Sequence, residues 1–141
     1  MFVKQISIFV ENHFGSAADV IGLLAEKNIN ISALSIADTA DYGIMRLIVD
    51  RPEEAKAVLS EQGVTVKLTD VLALPIADRP GGLSAILQIL RDGQISIDYM
   101  YAFVGRRNNA AVVVARTDDP EAALRILTER GIMPLSAENL F

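Results

Sequence analysis

An internal duplication is the feature of this sequence that most restricts its fold. With an offset of 66 residues, Gly15 aligns with Gly81 and Ile29 with Ile95. With an offset of 68, segment 52–63 aligns with segment 120–131, and six of these twelve positions are identical. A repeat of this length predicts two copies of one structural unit, at residues 1–69 and 70–141.

Hydrophobic periodicity predicts the order β-α-β-β-α-β in each copy. Apolar residues at helical spacing, such as Val20, Ile21 and Leu24, predict amphipathic helices, whereas alternating or short continuous apolar runs predict strands. The predicted strands cover residues 3–10, 29–36, 43–50 and 64–68 in the first unit, and 71–76, 95–104, 109–115 and 132–135 in the second. Residues 68–71 are nearly all that separates the two units.

Local signals place the helix ends. Proline is favoured at the first helical position, which predicts helices that begin at Pro52 and Pro120. Gly63 and Gly131 are suited to the left-handed residue that ends a helix. Ser16 is the predicted N-cap of the first helix.

The predicted fold class is α+β, with two ferredoxin-like βαββαβ units in tandem. Each unit is expected to form a four-stranded antiparallel sheet with two helices on one face. Topology alone does not identify a function, so the function must be argued from particular residues.

Composition excludes several kinds of site. The chain has no cysteine and a single histidine, so thiolate and multi-histidine metal sites are excluded, and we predict no metal and no cofactor. A formal charge of −5 argues against nucleic-acid binding. No apolar run is long enough to span a bilayer and no signal peptide is visible, so we expect no membrane association and a cytoplasmic location.

The two loops between the first strand and first helix of each unit are the best candidates for a ligand site. They read Asn12-His13-Phe14-Gly15 and Asp78-Arg79-Pro80-Gly81. Glycine at this position lets the backbone approach a ligand closely, and the following helix offers N–H groups to a carboxylate. We find no nucleophile–base pair or paired carboxylates that the sequence places in one pocket, so we predict no catalytic residues.

These loops resemble those of the ACT domain, a regulatory module of amino-acid metabolism. The segment Asp78-Arg79-Pro80-Gly81-Gly82-Leu83 is similar to the Asp/Asn-x-Pro-Gly loop of that family. Asn28-Ile29-Asn30-Ile31 and Gln94-Ile95-Ser96-Ile97 resemble its entry to the second strand. The resemblance covers the whole chain as two tandem copies.

The resemblance implies a non-catalytic regulatory protein that binds a free amino acid at an interface between two ACT units and modulates a separate metabolic enzyme. It also implies a homodimer. The implied ligand-binding residues are Asn12, His13, Phe14, Gly15, Ser16, Asn30 and Ile31 in the first unit, and Asp78, Gly81, Gly82 and Ser96 in the second. In the first unit, Phe14 stands where the family has proline. In the second unit, Asp78 and Ser96 stand where the first unit has asparagine, so the second unit is the weaker candidate.

Each candidate also has an ordinary structural explanation. Asn12 can form an Asx turn, and the glycines can serve the turn geometry alone. Asn30 can be a plain strand-entry residue, and His13 an exposed loop side chain. The alternative function is therefore a structural or adaptor subunit with vestigial pockets, and a small enzyme of ferredoxin-like fold is the third possibility.

Overall fold

The computed structural model describes residues 1–11, 14–38, 42–107 and 109–141. Its helices and strands are β1 (Val3–Glu11), α1 (Ser16–Glu26), β2 (Ile31–Asp38), β3 (Tyr42–Val49), α2 (Pro52–Glu61), β4 (Thr65–Ile76), α3 (Gly82–Asp92), β5 (Ile97–Ala102), β6 (Ala111–Thr117), α4 (Pro120–Glu129) and α5 (Ala137–Leu140). The chain divides into two compact units. The N-terminal unit is Lys4–Thr69, and the C-terminal unit is Asp70–Phe141 together with Met1–Val3.

The N-terminal unit has the predicted element order, with its strands arranged β2-β3-β1-β4. Strand β3 pairs antiparallel with both β1 and β2. Alternate residues of β3, Met45, Leu47 and Val49, are buried in one cluster with Leu24 of α1 and Leu59 of α2. Since alternate side chains point to one face of a strand, both helices cover the same face of this sheet.

The C-terminal unit repeats both helices and three of the four strands of this arrangement. Its strands lie in the order β4-β6-β5, and β6 pairs antiparallel with both neighbours. Leu72 and Leu74 of β4 and Ala115 of β6 are buried with Leu90 of α3 and Leu127 of α4. The predicted α+β class with two tandem ferredoxin-like units is therefore confirmed.

The duplication extends to unusual backbone conformations. Gly15 and Gly81 have φ values of 86° and 87°, and Asn28 and Gln94 both have φ of 58°. Strands β2 and β5 each carry a register irregularity near their start. Two units with a common origin retain such details because the same turns connect the same elements.

The predicted ends of α2 and α4 are confirmed. Pro52 and Pro120 occupy the first turn of α2 and α4. Gly63 and Gly131, which follow these helices, have positive φ values of 77° and 79°. Both values lie in the left-handed region, where glycine is strongly favoured.

The prediction of two separate strands, at residues 64–68 and 71–76, is wrong. Strand β4 runs continuously from Thr65 to Ile76, and residues 65–69 belong to the N-terminal unit while residues 70–76 belong to the C-terminal unit. No glycine or proline lies between Thr65 and Leu74, so this stretch contains neither of the two residue types that most strongly interrupt a strand.

The predicted last strand, residues 132–135, is also wrong. This segment is not a strand, although the N–H of Leu135 donates to the carbonyl of Ala73 in β4 at 2.8 Å. Pro134 has no N–H to donate, which limits a ladder here. The chain continues instead into the short helix α5, which buries Leu140.

Candidate functional site

The turn from β1 into α1 depends on Gly15. Its φ of 86° places it in the left-handed region, and its carbonyl accepts the N–H of Asp19 at 3.0 Å. Gly15 is the N-cap of α1, and no side chain caps this helix. The prediction that Ser16 is the N-cap is therefore wrong, because Ser16 is already the first helical residue.

A cavity of about 560 Å³ lies beside this turn, between the end of β1, the first turn of α1 and the connection from α2 to β4. Its volume is typical of a site for a small molecule. Val10, Val20 and Val64 provide apolar lining. The polar residues that line it are Glu11, Ser16, Asp19, Gln62 and Thr65.

The structure describes three of the five residues predicted for the first loop. Ser16 lines the cavity, and Gly15 directly precedes it in the chain. Phe14 is fully exposed, at 104% of its reference accessibility. Asn12 and His13 lie outside the described residues.

Asn30 and Ile31 lie at the opposite end of α1. Ile31 pairs with Val49 at the far end of β3, whereas Tyr42 at the other end of β3 pairs with Glu11 next to the loop. Helix α1 has 11 residues, which corresponds to about 16 Å. One copy of the N-terminal unit therefore does not bring Asn30 to Gly15.

Asn30 has a structural role where it lies. Its N–H donates to the carboxylate of Asp50 at 3.1 Å, and its carbonyl accepts the N–H of Asp50 at 3.2 Å. Ser96 makes the same two bonds with Asp118, at 3.0 Å each. This pairing fixes the entry to β2 and to β5 in the two units.

Arg51 is a residue that the sequence reasoning missed. Its guanidinium donates to the carbonyls of Lys27 and Asn28 at 2.9 and 2.8 Å and to the carboxylate of Glu54 at 2.7 Å. A cation that binds the last carbonyls of a helix interacts favourably with its dipole. Only the position of Arg51 just before a helix-starting proline could have indicated this role.

The C-terminal unit has a corresponding cavity of about 420 Å³, and Gly81 and Gly82 line it. A Cβ atom on Gly82 would lie 1.9 Å from the carbonyl oxygen of Ala77, so this turn excludes any larger residue. The carboxylate of Asp78 forms an ion pair with Arg106. Ser96 lies at the other end of α3, as Asn30 does in relation to α1.

The described residues contain neither a cluster of metal-ligating side chains nor a helix able to span a membrane. Within residues 1–11, 14–38, 42–107 and 109–141, no three or more histidine, cysteine, aspartate or glutamate side chains are placed to hold a metal ion. None of the helices in this part of the chain has the length and hydrophobicity needed to cross a membrane.

Comparison with protein families gives a match over the full length. The model of the family described as "ACT domain pair" matches residues 1–141. The acetolactate synthase small subunit of Haemophilus influenzae is 30% identical over 68 residues, which is 48% of this chain and 42% of that protein. The acetolactate synthase isozyme 3 small subunit of Escherichia coli is 31% identical over 69 residues, 49% of this chain and 42% of that protein. The matches thus cover less than half the length of these curated relatives.

Solved structures with the same fold include two informative ones. A protein of Bacteroides thetaiotaomicron has a TM-score of 0.92 and 39% identity, and the match covers 99% of this chain and 96% of that one. The ligand-free regulatory subunit of aspartate kinase from Thermus thermophilus has a TM-score of 0.61 and 19% identity, with 89% and 90% coverage. At 19% identity the second similarity establishes a shared fold only.

Proposed function

This chain belongs to the ACT domain pair family, and on that basis we propose that it is a non-catalytic regulatory protein that binds a free amino acid and modulates a separate metabolic enzyme. The observation that carries the proposal is the cavity beside Gly15 in a chain that matches the family from end to end. Curated relatives named as small subunits of an enzyme support the regulatory part.

The chemistry of the cavity suits an amino-acid zwitterion. The first turn of a helix presents N–H groups and a partial positive charge, which favour a carboxylate near Ser16. Glu11 and Asp19 can accept hydrogen bonds from the α-ammonium group, and the valines can contact an aliphatic side chain. The proposed ligand residues are therefore the loop 12–15 and the polar lining of this cavity.

A second copy of the chain explains how Asn30 can contribute. Strand β2 lies at the edge of the sheet in the N-terminal unit, and Leu34 and Ile36 on it are 44% and 53% exposed. Unpaired edge strands with apolar side chains favour pairing with another strand. Antiparallel pairing of β2 with the β2 of a second copy would place Asn30 of that copy near the Gly15 loop, because the end of β2 and this loop lie at the same end of the unit.

This homodimer can be tested by its oligomeric state. Ile36→Lys is expected to shift the protein from dimer to monomer in sedimentation velocity, because it places a charge on the pairing edge. Leu83→Lys, at another exposed apolar residue, is the control and should leave the dimer unchanged. Dimers that persist in Ile36→Lys would contradict pairing through β2.

The alternative is a structural or adaptor subunit that binds no amino acid. The observation in its favour is that one copy keeps Gly15 and Asn30 at opposite ends of α1 and pairs Asp78 with Arg106. An adaptor should tolerate loss of Asn12, Gly15 or Asn30 without a change in function.

A thermal-shift screen of the full chain against all proteinogenic amino acids separates the two functions. A ligand at 100 times its dissociation constant adds about 2.7 kcal/mol to the stability. We expect a shift for a specific amino acid that is lost in Asn12→Ala and kept in Asp78→Ala, the equivalent position of the C-terminal unit. Cooperative melting without any shift would favour the adaptor.

Mixing two variants tests whether the site lies between copies. Asn12→Ala and Asn30→Ala are each expected to bind no ligand alone. A mixed dimer has one site with both substitutions and one intact site, so mixing should restore part of the binding. No recovery in mixtures that demonstrably exchange subunits would place the site within one copy.

A further inference from the structure

The cavity of the C-terminal unit combines one cation with an aliphatic surface. Its volume of about 420 Å³ is enough for a small molecule. Pro75, Ile86 and Ile132 provide apolar walls. Among the described residues that line this cavity, Arg79 is the charged one. The lining therefore suits a ligand that has a negative group and an apolar chain.

The side chain of Arg79 is available to such a ligand. Its guanidinium has no hydrogen-bond or ion-pair partner within the described part of the chain. The acidic residue next to it in the loop, Asp78, is already paired with Arg106. The backbone of Arg79 is fixed by the turn, because its N–H donates to the carbonyl of Ala77 at 2.9 Å and its carbonyl accepts the N–H of Gly82 at 3.0 Å. The turn thus holds the main chain and leaves the guanidinium at the cavity.

The C-terminal cavity offers no carboxylate to an ammonium group. Helix α3 has no acidic residue in its first turn, whereas α1 has Asp19 there. With the offset of 66, the counterpart of Asp19 is Ala85, which lines the C-terminal cavity. An ammonium group here would lose water without gaining a partner and would be repelled by Arg79. A carboxylate would instead meet Arg79 and the positive end of the α3 dipole.

We propose that the C-terminal cavity binds an aliphatic carboxylate that lacks an amino group. Arg79 pairs with the carboxylate, and Ile86 and Ile132 contact the aliphatic chain. The ion pair between Asp78 and Arg106 contributes to the selectivity, because it neutralises the carboxylate that this loop would otherwise offer to an ammonium group. The site is separate from the amino-acid site proposed for the N-terminal unit, and neither proposal depends on the other.

Three ligands with one carbon skeleton test the class of ligand. The first, 4-methylpentanoate, has a carboxylate alone, whereas leucine adds the ammonium group and 4-methylpentanamide has no charge. Amide NMR titration of the full chain is site-specific, since Gly81 and Gly82 report on this cavity and Gly15 on the other. We expect saturable shifts at Gly81 and Gly82 with 4-methylpentanoate, and binding of the other two ligands that is about fivefold weaker at these residues. Because Arg79 is exposed, the affinity for 4-methylpentanoate should fall as the salt concentration rises.

Three substitutions assign the preference to particular side chains. Arg79→Gln should weaken the binding of 4-methylpentanoate about fivefold. Arg125→Gln removes the same charge from α4 at an exposed residue that does not line the cavity, so the affinity should stay unchanged. Arg106→Gln releases the carboxylate of Asp78 and should shift the preference towards leucine.

The outcomes separate this inference from the amino-acid site of the N-terminal unit. Absence of saturable shifts at Gly81 and Gly82 with 4-methylpentanoate overturns the inference, whatever amino acids do at Gly15. Equally tight binding of leucine or of the amide at these residues also overturns it, because neither the missing ammonium group nor the carboxylate would then matter. Equal weakening by Arg79→Gln and Arg125→Gln would contradict the assignment to Arg79, and an unchanged preference in Arg106→Gln would contradict the role of the ion pair.

Discussion

Thr117 is a buried position at which the two units differ, and it tests how much an unsatisfied hydroxyl group costs in stability. It lies in β6, is 2% exposed, and its hydroxyl oxygen has no hydrogen-bond partner among the described residues. With the offset of 68, its counterpart in the N-terminal unit is Val49, which is 1% exposed in the core of that unit. Thr117 pairs with Ile97 as Val49 pairs with Ile31. The same buried position thus holds a hydroxyl in one unit and a methyl group in the other.

Thr117→Val removes the unsatisfied hydroxyl at nearly constant volume. A buried polar group without a partner costs about 1–3 kcal/mol. We therefore expect Thr117→Val to stabilise the C-terminal unit by about 1 kcal/mol, the lower end of this range. In a chain of this length, such a gain corresponds to a rise in Tm of about 3 °C.

Urea unfolding measures this effect, with Val49→Thr as the reciprocal variant. The midpoint should rise for Thr117→Val with an unchanged m value, because the surface exposed on unfolding stays the same. Val49→Thr should lower the midpoint by introducing the same unsatisfied group. A lower midpoint for Thr117→Val would refute the reasoning and imply that the hydroxyl makes a stabilising contact.

Three further substitutions test the ends of two helices and the helix propensity of one. Arg51→Ala is expected to destabilise the chain by about 1–2 kcal/mol in urea unfolding, because the carbonyls at the end of α1 lose their cation. Arg51→Lys should restore only part of this stability. Full stability of Arg51→Ala would contradict the role. Asp119→Ala should cost about 1 kcal/mol because the Asp119 carboxylate accepts the N–H of Ala122 at the start of α4, and an unchanged midpoint would argue against the cap. Gly22→Ala should stabilise α1 by about 1 kcal/mol, since no atom lies within 4 Å of the added Cβ, whereas a loss of stability would indicate a contact at Gly22 that one copy lacks.

The fold was predictable from the sequence because its strongest signals are local and occur twice. Glycine at positions 15, 63, 81 and 131 marks turns that need a positive φ, and all four have one. Helical spacing of apolar residues identified the faces that the sheets bury. Each unit provided a check on the other, which a single copy cannot offer.

The ends of the strands were less predictable because they depend on pairing between distant segments. One strand was expected to end at residue 68 and the next to begin at residue 71, but β4 is a single strand from Thr65 to Ile76. The segment at residues 132–135 has the composition of a strand, yet it makes one backbone bond to β4, at Ala73. Local sequence does not report whether a neighbouring strand is available.

The candidate site was predictable only in part. Ser16 was named from the loop pattern and lines a cavity, and Gly15 directly precedes it in the chain. Glu11 and Asp19 also line this cavity. The second repeat has alanine at the equivalent positions, Ala77 and Ala85, so comparison of the two repeats could have identified both acidic residues. The role of Arg51 depends on a contact across 24 residues, and its position before a helix-starting proline does not identify the carbonyls that it binds.

Calorimetric titration of the full chain with each proteinogenic amino acid tests the central claim most directly. The account predicts saturable binding of an amino acid and loss of that binding in Asn12→Ala. Absence of binding heat for every amino acid, together with an unchanged Tm in their presence, would contradict the claim that this ACT domain pair is an amino-acid sensor.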